Sequence, residues 1–158
     1  MTEPKLTPAA AQALAEATAE AMFSRDRAAQ ALGLKIVRVQ PGKSLLTMTV
    51  RGDMVNGHHI CHGGMIFSLA DTAFAYACNS YNKNTVASAC HIDFLAPAKE
   101  GETLEAEAVE QSAAGRTGVF GGSPLLGRRP CNASRIAVVF PMPGAPVSAT
   151  TVTSPRGA

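Results

Sequence analysis

The fold of this chain depends on one segment, Gly63-Gly-Met-Ile-Phe-Ser-Leu-Ala-Asp-Thr-Ala-Phe-Ala-Tyr-Ala-Cys-Asn-Ser80. Its apolar residues recur at intervals of three and four, which predicts an α-helix with a wide apolar stripe. Asp71 is its only charged residue, so most of the circumference of this helix should be buried. The rest of the fold must therefore pack around a long central helix.

The segments that flank this helix predict one further helix and several strands. Residues 9–24 are rich in alanine and contain neither glycine nor proline, which predicts an N-terminal helix, followed by a short helical turn at 25–32. Residues 34–40 and 44–50 alternate around a Pro-Gly turn and predict a hairpin. Strand patterns return at 85–95 and 103–111, and after a loop at 113–116 another strand begins at Thr117. This order predicts an α+β fold in which one antiparallel sheet wraps the central helix.

Composition excludes several classes of function. The 158 residues suffice for one domain, and a net charge of +2 gives no reason to expect nucleic acid or an anionic membrane as a partner. No apolar run is long enough to span a bilayer, and the first residues lack the layout of a signal peptide. The cysteines have neither metal-site nor disulfide-framework spacing, which predicts reduced thiols in a cytoplasmic protein; they are Cys61, Cys78, Cys90 and Cys131.

The composition changes abruptly after Phe120. Residues 121–158 contain no Asp, Glu or Lys, although the whole chain has 12 acidic residues, and they hold six of its 10 prolines. We therefore expect a domain at 1–120 and an atypical tail at 121–158, in which only residues 134–140 have a strand pattern. Two explanations stay open: an unstructured extension, or translation in a shifted frame that interrupts the strand begun at Thr117. Reading the nucleotide sequence around codon 120 in all three frames distinguishes them.

The start of the central helix offers an oxyanion-binding site. Gly63 and Gly64 precede the apolar stripe, so unpaired N–H groups and the positive end of the helix dipole should lie there. Glycine lets a ligand oxygen approach such donors closely. Asp71 follows about 12 Å further along the helix at 1.5 Å per residue, too far to act on the same small group. The pattern therefore favours a site completed by Asp71 of a second subunit, although a carboxylate satisfied by hydrogen bonds or solvent stays an alternative.

The histidines and Cys61 before the helix invite other interpretations. His58, His59, Cys61 and His62 are crowded and lack a distant second pair of ligands, so we expect no metal site. Cys61 lacks an activating arrangement beyond the nearby histidines, which argues against a nucleophilic thiol.

Three segments together resemble a known family. Asn56-Gly-His-His-Ile-Cys-His-Gly-Gly-Met-Ile-Phe-Ser-Leu-Ala-Asp71 continues into the helix, and Val86-Ala-Ser-Ala-Cys-His-Ile-Asp-Phe-Leu-Ala-Pro97 and Gly101-Glu-Thr-Leu-Glu-Ala-Glu-Ala108 follow. They closely resemble the hotdog-fold acyl-CoA thioesterases of the PaaI type, from phenylacetic acid degradation. The resemblance covers roughly residues 8–120. It implies a five- or six-stranded sheet around the helix, with dimers that usually pair into tetramers.

The resemblance also implies an activity and a set of site residues. Family enzymes hydrolyse phenylacetyl-CoA and its ring-hydroxylated relatives and need no metal or redox cofactor. Asp71 matches the catalytic carboxylate, Gly63 the N–H that polarises the thioester, Asn56 a side chain that holds water or substrate, and Thr72 a polar neighbour. His62 and Gly64 belong to the same substrate-binding loop.

The tail departs from this pattern, because family members continue the strand begun at Thr117 and end in a basic strand. An inactive or misfolded hotdog chain therefore stays as an alternative to a thioesterase. A hotdog dehydratase acting on acyl thioesters is a separate alternative, although the Asp71 arrangement fits hydrolysis better.

Overall fold

Two helices precede the sheet. The computed structural model describes residues 6–114, 117–126, 129–130 and 132–139, beginning with α1 (Pro8–Phe23) and α2 (Arg27–Ala31). Thr7 caps α1 by accepting the Ala10 N–H at 3.2 Å, and Pro8 occupies the first turn, where a missing N–H costs nothing. The predicted N-terminal helix and the helical turn after it are confirmed.

The strands form one antiparallel sheet. They are β1 (Lys35–Gln40), β2 (Lys43–Thr49), β3 (Val86–Phe94), β4 (Thr103–Ala114), β5 (Thr117–Leu126), β6 (Arg129–Pro130) and β7 (Asn132–Val139). Their order is β1-β2-β4-β5-β7-β3, and the two-residue β6 pairs with β5. The predicted hairpin is confirmed as β1 and β2, and Gly42 in its turn has a φ of 71°, which favours glycine. The strands predicted at 85–95 and 103–111 are confirmed as β3 and β4.

The central helix α3 (Gly63–Asn79) lies where the sequence predicts it. It packs mainly on β2, β4 and β5, and the inward side chains of β2 and β4 alternate with outward ones. Phe74 of α3 meets Phe120 of β5 edge to face, with ring centroids 5.4 Å apart. The buried residues of α3 form the predicted apolar stripe; they are Ile66, Leu69, Ala70, Ala73, Phe74, Tyr76, Ala77, Cys78 and Asn79.

The sheet does not stop where the composition changes. β5 continues past Phe120 to Leu126, so the expectation of a strand interrupted at Phe120 is wrong. Gly121 and Gly122 still pair with β7. Pro124 lies beyond Gly122, the last residue of β5 that pairs with β7, so the N–H that proline lacks is not required for a hydrogen bond to β7. The strand predicted at 134–140 is confirmed as β7 up to Val139.

The shifted-frame explanation of the change in composition stays a prediction. Residues 1–5, 115–116 and 127–128, Cys131 and everything from Phe140 onward lie outside the described residues.

The sheet has two edges, and β3 forms one of them. It pairs with β7 on one side, and within the described residues no strand pairs with its other side. Most of β3 is exposed, including Val86 and Phe94 at 55% and 53%. An edge strand with exposed apolar side chains offers a surface on which another strand can pair.

Candidate active site

One N–H group at the start of α3 has no partner in the described part of the chain. His62 is the N-cap: its Nδ1 accepts the Gly64 N–H at 3.0 Å, and its carbonyl accepts the N–H of Met65 at 2.9 Å and of Ile66 at 3.4 Å. No described group accepts a hydrogen bond from the Gly63 N–H. Gly63 therefore presents a free donor at the positive end of the helix dipole. The N–H of Gly64, which the sequence placed with the substrate-binding residues, is occupied by the cap.

Asn56 organises the loop in front of this helix. The loop is closed by a β-bridge between Val55 and Cys61 and by a hydrogen bond of 2.9 Å from the Asn56 N–H to the Ile60 carbonyl. The Asn56 Oδ1 accepts the His58 N–H at 2.8 Å, which fixes the side chain in an Asx turn. The Asn56 Nδ2 donates to no other described residue. Asn56 is half-buried, so this amide is a second donor that a bound molecule can reach.

The residues that carry both donors line one cavity of about 430 Å³. Asn56 and Gly63 lie in its wall, and the other lining side chains are mainly apolar: Ile60, Cys61, Ile66 and residues 94–97. This combination of a few polar groups in an apolar wall is typical of small-molecule sites. The sequence predicted Asn56 and Gly63 as site residues, and both line this cavity, but it gave residues 94–97 no role.

Asp71 lies apart from this cavity. It is two turns further along α3 and is not in the cavity wall. Its carboxyl group is half-buried and makes no hydrogen bond or ion pair with any described residue, and burial raises its pKa. The alternative of a carboxylate satisfied by a buried hydrogen bond therefore finds no support in the described part of the chain. A group that loses hydration without a compensating partner is typical of functional sites.

Thr72 continues the half-buried face of α3 that carries Asp71. Its hydroxyl donates to the Ser68 carbonyl at 2.7 Å, and the Ser68 hydroxyl donates to the Gly64 carbonyl at 2.8 Å. The Thr72 oxygen therefore keeps its capacity to accept a hydrogen bond from a neighbouring group.

The thiol and imidazole groups near the cavity form no further centre. Cys61 is buried, and burial raises the pKa of its thiol, which disfavours the nucleophilic thiolate. Among the described residues, no three His, Cys, Asp or Glu side chains are close enough to hold a metal ion. No helix in the described ranges is long and apolar enough to cross a membrane.

Comparison with known proteins gives one consistent family. The family model described as Thioesterase superfamily matches residues 58–122. The chain is 53% identical over 102 residues to the acyl-coenzyme A thioesterase PaaI of Escherichia coli K12, a match that spans 65% of this chain and 73% of that protein.

Two solved structures of PaaI proteins superpose on this fold. The E. coli PaaI protein from the phenylacetic acid degradation operon has a TM-score of 0.81 and 42% identity, covering 84% of this chain and 96% of that one. A mutant of the phenylacetic acid degradation protein PaaI from Thermus thermophilus has a TM-score of 0.70 and 32% identity, covering 72% and 98%. The structural superposition on the E. coli protein covers more of this chain than the sequence match, at lower identity.

Proposed function

Because the chain belongs to the thioesterase superfamily and has the hotdog fold, we propose that it is an acyl-CoA thioesterase with phenylacetyl-CoA and its ring-hydroxylated relatives as substrates. The two PaaI proteins above are named for phenylacetic acid degradation, which supports an arylacetyl substrate. The mainly apolar wall of the cavity also suits an aryl group. The reaction converts the thioester and water to the free acid and CoA.

One observation carries this proposal: the free N–H of Gly63 and the unpaired carboxyl group of Asp71 lie on the same helix but not in the same cavity. Eight residues of helix separate them by about 12 Å. Within one chain, the Gly63 N–H and the Asp71 carboxyl group are therefore too far apart to act on the same thioester.

A second copy of the chain would place its own Asp71 carboxyl group close to the Gly63 N–H of the first. The edge of β3 to which no described strand pairs is the surface that we propose for pairing with this second copy, which would extend the sheet across a dimer. The half-buried face of α3 that carries Asp71 and Thr72 would then be covered by the partner. Two such dimers would form a tetramer.

In the proposed mechanism, the Gly63 N–H binds the thioester oxygen and stabilises the oxyanion that forms on it. Asp71 of the other subunit takes a proton from a water molecule that attacks the carbonyl carbon, or attacks this carbon itself to form an anhydride that water then opens. Asn56 holds the water or the substrate, with Thr72 as a polar neighbour. The carbon–sulfur bond breaks, and the CoA thiolate takes up a proton. His62 positions Gly64 through the cap.

We propose that no metal or redox cofactor takes part, so the chelator EDTA should leave the rate unchanged.

Substitution of Asp71 tests the assignment. Asp71→Asn keeps the shape but removes the base, so kcat for phenylacetyl-CoA should fall by about 10²–10⁴-fold with a small change in KM. Asp53→Asn is the matched control, because it makes the same chemical change at an exposed ion pair with Arg51. A fully active Asp71→Asn enzyme would exclude the carboxylate mechanism.

The same preparation separates the alternative functions. A dehydratase would remove water from a 3-hydroxyacyl-CoA without releasing CoA, and an inactive chain would turn over neither substrate. No feature of the described residues favours either alternative. A cytoplasmic location also stays a prediction, which fractionation of cells that express the tagged chain would check.

A further inference from the structure

Phe94, the last residue of β3, covers the start of α3. A Cβ atom built on Gly63 would lie 3.2 Å from Cζ and 3.3 Å from Cε1 of the Phe94 ring. Such contacts are tighter than ordinary packing, so the absence of a side chain at position 63 lets the ring approach this closely. The ring therefore lies beside the residue that carries the free N–H donor.

Burial alone does not explain this position of the ring. Phe94 is 53% exposed and lies in the wall of the 430 Å³ cavity, whereas core aromatic residues such as Phe74 and Phe120 are 1% exposed. One edge of the ring faces Gly63, and much of its remaining surface is free to contact another molecule. An acyl group whose carbonyl oxygen is bound by the Gly63 N–H would extend into this cavity and past the ring.

We propose that Phe94 is the specificity-determining residue of the site, and that its ring selects aromatic acyl groups by direct ring–ring contact. This statement rests on the proposed thioesterase function. Aromatic rings prefer edge-to-face or offset contacts with each other, and this preference adds to the gain from apolar burial. A saturated ring of the same size would fill the same space but would lose that added attraction.

The test compares phenylacetyl-CoA with cyclohexylacetyl-CoA, which differ in aromaticity but hardly in size. In Phe94→Leu, the ratio of kcat/KM for the aromatic over the saturated substrate should fall by roughly threefold to tenfold relative to the wild type. Val86→Ala is the control, because Val86 is similarly exposed but lies at the opposite end of β3. Eight residues of strand separate the two positions by roughly 26 Å, so the ratio should not change in this variant.

The outcomes are distinguishable. An unchanged ratio in a folded Phe94→Leu enzyme that still hydrolyses both substrates would overturn the role of Phe94 and leave the proposed function intact. Loss of both activities together with dissociation of the oligomer would overturn it too, because Phe94 would then serve subunit contact. A wild-type protein that hydrolyses no acyl-CoA would instead defeat the proposed function. Phe94→Tyr keeps the ring and should retain the wild-type ratio.

Discussion

Gly63 and Asp71 are the two residues of the proposed site that the sequence marks most clearly. The glycine pair and the lone carboxylate stand out in the sequence, because one marks a helix start and the other is costly on an apolar helix. Sequence did not show which of the two glycines keeps a free N–H, since that depends on the rotamer of His62. It also did not reveal Phe94, whose role depends on a contact between segments about thirty residues apart in the chain.

The titration of Asp71 should control how activity depends on pH. Burial raises its pKa above the ordinary value of 3.8, so the fold disfavours the ionised form. A general base must be ionised, so kcat should rise with pH through a midpoint above 3.8, and Asp71→Asn should lack this limb. A kcat–pH profile of the wild type with its midpoint at or below 3.8 would contradict the assignment.

In Asp71→Asn, thermal stability should change in the opposite direction to activity. A carboxyl group with a raised pKa contributes most to stability below its unfolded pKa, and this contribution is lost as pH rises through the folded pKa. Asp71→Asn removes the cost of the charge, so its Tm at pH 7 should equal or exceed that of the wild type. The difference should shrink as the pH is lowered towards 3.8, as thermal unfolding at several pH values would show.

Whole elements were more predictable than their boundaries and caps. The apolar period of α3 and the Pro-Gly turn before β2 are local signals, and the structure has both elements in place. The course of β5 beyond Phe120 was mispredicted, because glycine only weakens a strand, and proline is excluded only where a neighbouring strand needs its missing N–H. That condition depends on where β7 ends, which no local pattern contains.

The His62 cap should stabilise the start of α3. His62→Ala removes the acceptor for the Gly64 N–H and should cost about 1 kcal/mol, which for a chain of this size lowers Tm by roughly 2–4 °C. His62→Asn supplies another good cap and should restore most of the stability and the activity. An Asn variant with normal Tm but little activity would show that the imidazole acts in the chemistry itself, as a dehydratase would require.

For the whole molecule, the main question is whether one chain holds a complete site. Gly63 and Asn56 face one cavity, and the carboxyl group of Asp71 lies outside it on the same helix. Pairing at β3 is the proposed way to unite them, and it depends on an edge that β7 holds in the sheet. If the sites form by this pairing, the tail that carries β7 is needed for function even though it contributes none of the proposed catalytic residues.

Mixed oligomers test this division of the site. Asp71→Asn removes the proposed base from each site. Gly63→Val disrupts the oxyanion-binding half of each site by placing a bulky side chain against Phe94. In a dimer of one subunit of each kind, one site carries both defects and the other carries neither. Two differently tagged variants, co-expressed and randomly paired, should therefore recover about one quarter of wild-type activity, although each alone is nearly inactive. Co-expression of Asp71→Asn with Asp71→Ala is the control and should recover none. If the first pair also recovers none while forming mixed dimers, each site must lie within a single chain.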